Sequence, residues 1–368
     1  MTQQIPDLST IINNAFDQAL KQRGIANIII AGKTGVGKST LINAVFQGHM
    51  ADTGQGKPVT QHTKRITKQD VPVAIYDTKG LEVKDYKPIL EELMNFVAQA
   101  NGEEDPAKHI HVAWLCIAEG ARRVEDAEIQ LAEAMSKRMP VIVVITTAVS
   151  DQGFKSKVED LFPFARNVVR VNSLEQVLDG GIKLPPIGLG NLIDITMEVI
   201  PEGQKKAFAA AQRIKLDAKV SQAHKVVAGC AVSAGGVGAV PVPFSDAVGI
   251  VPIQIGMIAG ITAAFGMKFD RAFLSTLVAG TFTTVAATVG GRALVGAFLK
   301  FFPGLNAVGA VVSAAVAATV TTTFGEAYIA TLYALLKDNP DRELSASEVA
   351  EAFKRKLESE REKQKEPA

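Results

Sequence analysis

Short apolar runs alternate with stretches of helical spacing through the first half of the chain. Residues 25–31, 71–76, 109–117, 140–147 and 167–171 are dense in Val, Ile and Ala and read as buried strands. Between them, residues 40–46, 88–100 and 124–139 carry apolar side chains at the three- and four-residue spacing of helices, and 191–200 reads as a closing helix. Strands alternating with helices predict a mostly parallel sheet covered on both faces, with a ligand site beyond the carboxyl ends of the strands. Leu8, Ile11, Ile12, Phe16 and Leu20 predict a helix over 7–22, N-capped by Asp7 and packed on this first domain or offered to a partner. Residues 48–64 are polar, rich in Gly and Thr, and read as a long loop.

The pattern changes after Pro185-Pro186-Ile187-Gly188, read as a linker turn. Residues 202–227 are helix-prone and basic, with Lys205, Lys206, Arg213, Lys215, Lys219 and Lys225 set against Glu202 and Asp217. Within 226–267 Asp246 is the only charge, and 272–291 and 301–325 have none. A bilayer span takes about 20 apolar residues, which 247–267, 272–291 and 306–325 reach. The basic segment before them suits a cytoplasmic flank or anionic lipid. Their Ala, Gly and Thr content fits equally a bundle with a tight core, and Gly256 and Gly260 have the spacing that lets helices approach closely. Ser345-Ala346-Ser347-Glu348 is a capping box opening a charged helix, read as solvated or as a docking arm. The expected domains are a helix at 1–24, an α/β domain at 25–200, a hydrophobic helical domain at 201–337 and a charged tail at 338–368.

Charge and cysteines narrow the classes. Thirty-nine basic residues balance 38 acidic ones, so nothing global points to nucleic acid. Two cysteines exclude a disulfide framework. Residues 1–17 have no secretory pattern, which predicts a cytoplasmic nucleotide-binding part.

The candidate chemistry begins at Gly32-Lys33-Thr34-Gly35-Val36-Gly37-Lys38-Ser39, a complete P-loop between a strand and a helix. Glycines let successive N–H groups wrap phosphate at a helix N-terminus. Lys38 supplies charge to the β- and γ-phosphates, and the Ser39 hydroxyl is a Mg²⁺ ligand. Asp77-Thr78-Lys79-Gly80 follows a strand, where a second metal group and a γ-phosphate sensor belong.

Residues 32–44, Pro58-Val59-Thr60 and Asp77-Thr78-Lys79-Gly80-Leu81 together resemble an Era-like GTPase domain, of the broad class that includes dynamin-like and immunity-related GTPases. Residues 239–246 with their Gly/Ala-rich continuation resemble a bacterial hydrophobic domain of unknown function that commonly follows such modules. The first resemblance implies an α/β P-loop NTPase fold with an all-α hydrophobic domain after it. It also implies GTP and Mg²⁺, with Ser39, Thr60 and Asp77 at the metal and Gly80 sensing the γ-phosphate. Thr63 is the alternative switch threonine. Gly32 to Thr40 would contact phosphates, with Thr146, Thr147, Asn172 and Ser173 at the base. The partners implied are GTP and GDP, a membrane lipid at the inner face of the cell membrane, and a second copy through the nucleotide face.

Three departures qualify this resemblance. Lys79 replaces a proline. Leu81 replaces a water-positioning glutamine and cannot orient water, which implies slow turnover unless His62 or Gln61 in cis, or Arg122 or Arg123 in trans, supplies the group. The guanine-reading Asn/Thr-Lys-x-Asp is absent from register: Thr146-Thr147-Ala148-Val149 stands there, with Asp151 two positions late. Two competing readings stay open, a P-loop ATPase and a nucleotide-binding membrane-remodelling or scaffold protein with negligible turnover. His109 and His111 share a strand face as metal ligands would, but no third ligand accompanies them, so ordinary sheet histidines are expected.

Overall fold

The computed structural model describes residues 7–47, 50, 57–60, 62–78, 86–177, 179–238, 245–282 and 314–363. Two compact units emerge: residues 24–215, and residues 216–368 together with 1–23.

In the first unit, seven strands form one sheet in the order β2-β3-β4-β1-β5-β6-β7. These are β1 (Ala26–Ala31), β2 (Lys57–Pro58), β3 (Thr63–Lys68), β4 (Val71–Thr78), β5 (Val112–Ala118), β6 (Val141–Thr146) and β7 (Asn167–Arg170). β4, β1, β5, β6 and β7 run parallel, while β2 and β3 add an antiparallel edge. The parallel strands are buried on both faces, which explains their unbroken apolar sequence. β3, Thr-Lys-Arg-Ile-Thr-Lys, is half exposed and polar, and its first two residues fall within the 48–64 stretch expected as loop. Beyond β7, β8 (Gln176–Val177) and β9 (Lys183–Leu184) form a small ribbon, and Ile187 bridges back to Asn172, so 185–188 stays inside the unit and is not a linker.

Helices cover both faces. On one face lie α2 (Lys38–Val45), α6 (Leu189–Val199) and α7 (Glu202–Ala211). Trp114 anchors this side, stacked on Phe46 at 5.9 Å, met edge-on by Phe208 at 6.4 Å, and donating Nε1–H to Thr196 Oγ1 at 3.2 Å. Phe208 therefore carries α7 into the α/β core, and the unit boundary falls after Lys215 instead of at residue 200. On the other face lie α3 (Lys87–Asn101), α4 (Asp126–Ser136) and α5 (Phe154–Leu161). The expected helix 202–227 is broken at Gln212 to Lys215, where Gln212 caps the turn by accepting from the N–H groups of Ile214 and Lys215, both at 2.8 Å.

The second unit is helical: α1 (Leu8–Arg23), α8 (Leu216–Gly238), α9 (Ser245–Ala264), α10 (Arg271–Phe282), α11 (Ala314–Leu336) and α12 (Ala346–Lys363). Asp7 caps α1 as expected, accepting from Thr10 N–H at 2.6 Å, but Ile12, Ala15 and Ala19 enter the helical core, so α1 belongs to this unit and not to the α/β domain. The charged tail is no solvated arm: Val349, Ala350, Phe353 and Leu357 of α12 are buried, and Phe353 packs on Phe324 and Tyr328. Small residues set helix spacing here. A Cβ on Gly260 would lie 2.8 Å from Val226, and one on Gly325 would lie 2.6 Å from Val227.

Among the described residues no helix is long and apolar enough to cross a membrane. Parts of the runs 272–291 and 306–325 lie outside the described residues, as do Pro241 and Pro243. Three cations of the basic segment are engaged within the fold. Lys219 is buried in the bundle and donates to the Phe265 carbonyl at 2.8 Å, Lys215 pairs with Asp194 at 2.5 Å, and Arg213 binds backbone carbonyls.

Candidate nucleotide site

The site starts where β1 ends. Gly32 follows Ala31 with φ 141°, and a Cβ there would collide with the Cys116 carbonyl oxygen of β5. Only glycine permits both the dihedral and the approach. Gly35 and Gly37 also have positive φ, 81° and 94°, and Gly37 ends the loop as the N-cap of α2 with no side-chain cap. The first N–H groups of α2 are thus left for an anion. Thr34, Gly35, Ser39 and Thr40 are exposed at this mouth, whereas Val36 is buried and Lys33 half-buried. Lys38 is buried and turns back on the loop, donating from Nζ to the carbonyls of Gly32 at 2.7 Å and Lys33 at 3.0 Å. Its ammonium sits inside the cradle, positioned for exchange from carbonyl to phosphate oxygens.

Neighbouring strands brace the loop. Thr146, at the end of β6, donates its hydroxyl to the Val36 carbonyl at 2.5 Å. Expected at the base, this hydroxyl is instead a brace for the P-loop. Lys33 pairs with Glu125, which opens α4 through a reciprocal capping box with Glu128. The Lys33 hydrogen bond holds the Glu125 carboxyl below its ordinary pKa, whereas burial raises that of Glu128. Burial pushes the Cys116 thiol up to about 12, so this cysteine is a packing residue.

Asp77 lies beside the loop, in register with Ile30 on β1. A serine hydroxyl at the start of α2 and a carboxylate at the end of β4 are the oxygen donors Mg²⁺ takes, with phosphate and water completing its shell. The donor set fits that ion, with Ser39 and Asp77 as the groups that would hold it.

Thr60 is engaged in a local turn. Its hydroxyl accepts from Thr63 N–H at 3.0 Å and His62 N–H at 3.3 Å, beside Glu92 of α3. His62, expected near the water, is held by the Glu92 carboxylate at 2.9 Å. Thr63 is buried in β3, paired with Thr78. Lys79, Gly80, Leu81 and Gln61 lie outside the described residues.

The loop after β6 is organised by groups the sequence reading did not single out. Glu119, at the end of β5 and 2% exposed, accepts from Val149 N–H at 2.6 Å, Ser150 N–H at 2.7 Å and Arg170 Nε at 2.6 Å. Arg122 donates to the Ser150 and Asp151 carbonyls, so its guanidinium clamps this loop and is not presented to a partner. Arg123 is exposed beside Glu125. Asp151 caps α5, accepting from Lys155 N–H at 2.8 Å, and faces Arg170 at 3.5 Å. Arg122, Thr147 and Gln152 all have positive φ, so backbone strain gathers around this loop. A glutamate directly after a buried strand is the signal that could have identified Glu119. Asn172 is buried, its side chain accepting from Gln176 and donating to the Pro185 carbonyl, while Ser173 is half-buried beside it.

The two histidines lie before β5, which starts at Val112 and not at 109. His111 accepts Asn27 N–H at Nδ1, 2.8 Å, and its Nε2 faces the Pro106 carbonyl at 3.0 Å; His109 Nε2 meets the Glu103 carbonyl at 2.7 Å. Burial lowers the His111 pKa. Each ring locks a turn, and no metal-binding cluster of His, Cys, Asp and Glu occurs among the described residues.

A P-loop at the carboxyl edge of a parallel sheet, with Asp77 on the neighbouring strand, defines the α/β unit as a P-loop nucleotide-binding fold. Residues 27–147 match the family described as 50S ribosome-binding GTPase. The chain is similar to GTPase Era of Actinobacillus pleuropneumoniae serotype 5b (strain L20), 32% identical over 121 residues, covering 32% of this chain and 37% of that protein. It is similar to GTPase Era of Glaesserella parasuis serovar 5 (strain SH0165), 29% identical and covering 37% of this chain and 42% of that one. Cell division control protein 10 of Saccharomyces cerevisiae is 40% identical over 108 residues, 26% of this chain and 34% of that protein. The chain thus spans well under half the length of these relatives. Among solved structures, the G domain of the T. maritima FeoB iron transporter aligns at 14% identity over 47% of this chain and 98% of that one, with a TM-score of 0.28 that carries no argument.

Proposed function

We propose that this chain is a Mg²⁺-dependent GTP-binding and GTP-hydrolysing switch whose nucleotide state is passed to its helical unit. The observation that carries the reading is the Lys38 ammonium held inside a glycine cradle beside Asp77, within a segment similar to GTPase Era. Lys38 and the N–H groups of Gly35 to Thr40 bind and orient the phosphates. Mg²⁺, when bound by Ser39, Asp77 and Thr60, neutralises charge developing on the phosphates. Gly80 N–H senses the γ-phosphate, and Leu81 leaves water positioning to another group, so turnover is slow.

Arg213 supports the transmission step. Its Nε donates to the Ala44 carbonyl at 2.9 Å, a second guanidinium nitrogen donates to Asn43 at 2.8 Å, and its own N–H donates to Val45 at 2.9 Å. The end of the P-loop helix is thereby tied to the segment that leads into the helical unit. That unit responds by self-association, through a homodimer across the nucleotide face, or by reversible contact with lipid at the inner face of the cell membrane.

One observation favours a second reading, a P-loop ATPase: Asp151, the acidic side chain of the base loop, caps α5 instead of facing a base. Competition of GTP and ATP for a fluorescent GTP analogue separates the two. Preferential displacement by GTP supports the switch, and displacement by ATP alone rejects it.

A further inference from the structure

We propose that Glu92 is a latch that, by gripping His62, keeps the switch threonine Thr60 engaged in its local turn against α3, and so sets how readily the GTP-bound arrangement forms. The proposal rests on the reading of Thr60 as a metal-binding switch residue.

One carboxylate grips the turn between β2 and β3 through His62. Glu92 Oε1 accepts His62 N–H at 3.2 Å and Oε2 lies 2.9 Å from His62 Nδ1, while the Thr60 hydroxyl accepts from His62 N–H at 3.3 Å and Thr63 N–H at 3.0 Å. Thr60 and Thr63 close the turn locally, Thr60 N–H donating to the Thr63 carbonyl at 3.2 Å and Val59 N–H to it at 2.9 Å. The sheet separates this latch from the P-loop helix. Leu93 and Val97, on α3 with Glu92, pack on the sheet face opposite the one that holds Leu41 and Ile42 of α2. Thr60 and Glu92 also line one cavity of about 590 Å³ with Tyr76 and Phe96.

A hydroxyl whose two lone pairs accept from Thr63 N–H and His62 N–H cannot at the same time serve the site at Ser39 and Asp77. Mg²⁺-GTP must therefore select the population in which the latch is open, and its apparent affinity falls by the fraction open. GDP, which has no γ-phosphate to order this segment, escapes that cost.

The test uses the full chain with Glu92→Ala and Glu92→Gln. A glutamine accepts from His62 N–H and donates to His62 Nδ1, so it rebuilds the latch. Affinities for a non-hydrolysable GTP analogue and for GDP are measured with Mg²⁺, alongside hydrogen exchange of the His62 amide without nucleotide. Glu92→Ala is expected to raise the analogue-to-GDP affinity ratio about tenfold and to speed His62 exchange, with Glu92→Gln within about threefold of the parent. An unchanged ratio in Glu92→Ala, with wild-type binding intact, overturns the latch alone. A ratio that falls in Glu92→Ala overturns it too, because the carboxylate would then support the bound state. Failure of the parent chain to bind the analogue overturns the switch reading beneath it.

Discussion

The carboxylate of Glu119 accepts the Arg170 Nε–H at 2.6 Å and, with the same side chain, fixes the amides of Val149 and Ser150. Three elements meet at this one buried group: the end of β5, the end of β7 and the loop after β6. Removing it strands two N–H groups and leaves the Arg170 guanidinium to the more distant Asp151, at 3.5 Å. Glu119→Ala is therefore expected to lower the stability of the α/β unit by about 3 kcal/mol, read by urea denaturation. Burial raises the Glu119 pKa, but the Arg170 hydrogen bond and the two amides outweigh it and leave it below the ordinary 4.5. A depressed carboxyl contributes stability above that value and loses it as pH falls further, so the wild type loses its margin over Glu119→Ala below about pH 4.5.

Gly32→Ala places a methyl group against the Cys116 carbonyl at a dihedral L-residues avoid. The expected cost is about 3 kcal/mol, with loss of GTP binding. Gly35→Ala is the contrast. Its Cβ meets nothing within 4 Å, so only its φ of +81° is penalised, by about 1 kcal/mol. Thermal unfolding and nucleotide titration of both variants check the difference.

These glycines were legible because the P-loop spacing states a backbone requirement in residue types. The parallel strands were legible for a similar reason, since burial on both faces leaves continuous apolar runs. What the sequence hid has a common cause. β3 is a polar edge strand whose ladder is backbone chemistry, and Glu92 and Glu119 look like any helical or strand-end acid until the fold brings His62 and Arg170 to them. The Ala- and Gly-rich runs left a span and a bundle both open because composition does not say whether a small residue faces lipid or another helix. Gly260 and Gly325 face Val226 and Val227.

Lys219 gives the helical unit a distinctive pH response. Burial lowers its pKa from 10.5 to about 7, with Asp341 opposing the shift. Between those two values the unfolded chain holds a proton that the folded chain releases, so stability rises with pH across that window. Lys219→Met is expected to flatten the slope, measured by denaturation of the full chain at pH 7 and pH 9.5.

Asp151→Asn keeps an oxygen to cap α5. If the residue acts as a cap, the variant retains the parent GTP-to-ITP affinity ratio within about twofold, whereas loss of a carboxylate that reads the guanine 2-amino group would narrow that ratio at least tenfold. Competition binding of the two nucleotides decides between these outcomes.

Arg213→Ala removes two hydrogen bonds to the end of α2 and is expected to leave GTP affinity within about threefold while costing about 2 kcal/mol of stability. Transmission through this residue would also make any GTP-dependent self-association or liposome flotation of the wild type independent of nucleotide in the variant.

The most direct test of the central claim is equilibrium binding and single-turnover hydrolysis of GTP with Mg²⁺, for the wild-type chain and Lys38→Ala. The account predicts Mg²⁺-dependent binding and slow phosphate release in the wild type, with both lost in Lys38→Ala. Binding and turnover that survive in Lys38→Ala, or a wild-type chain that takes ATP and no GTP, would contradict it.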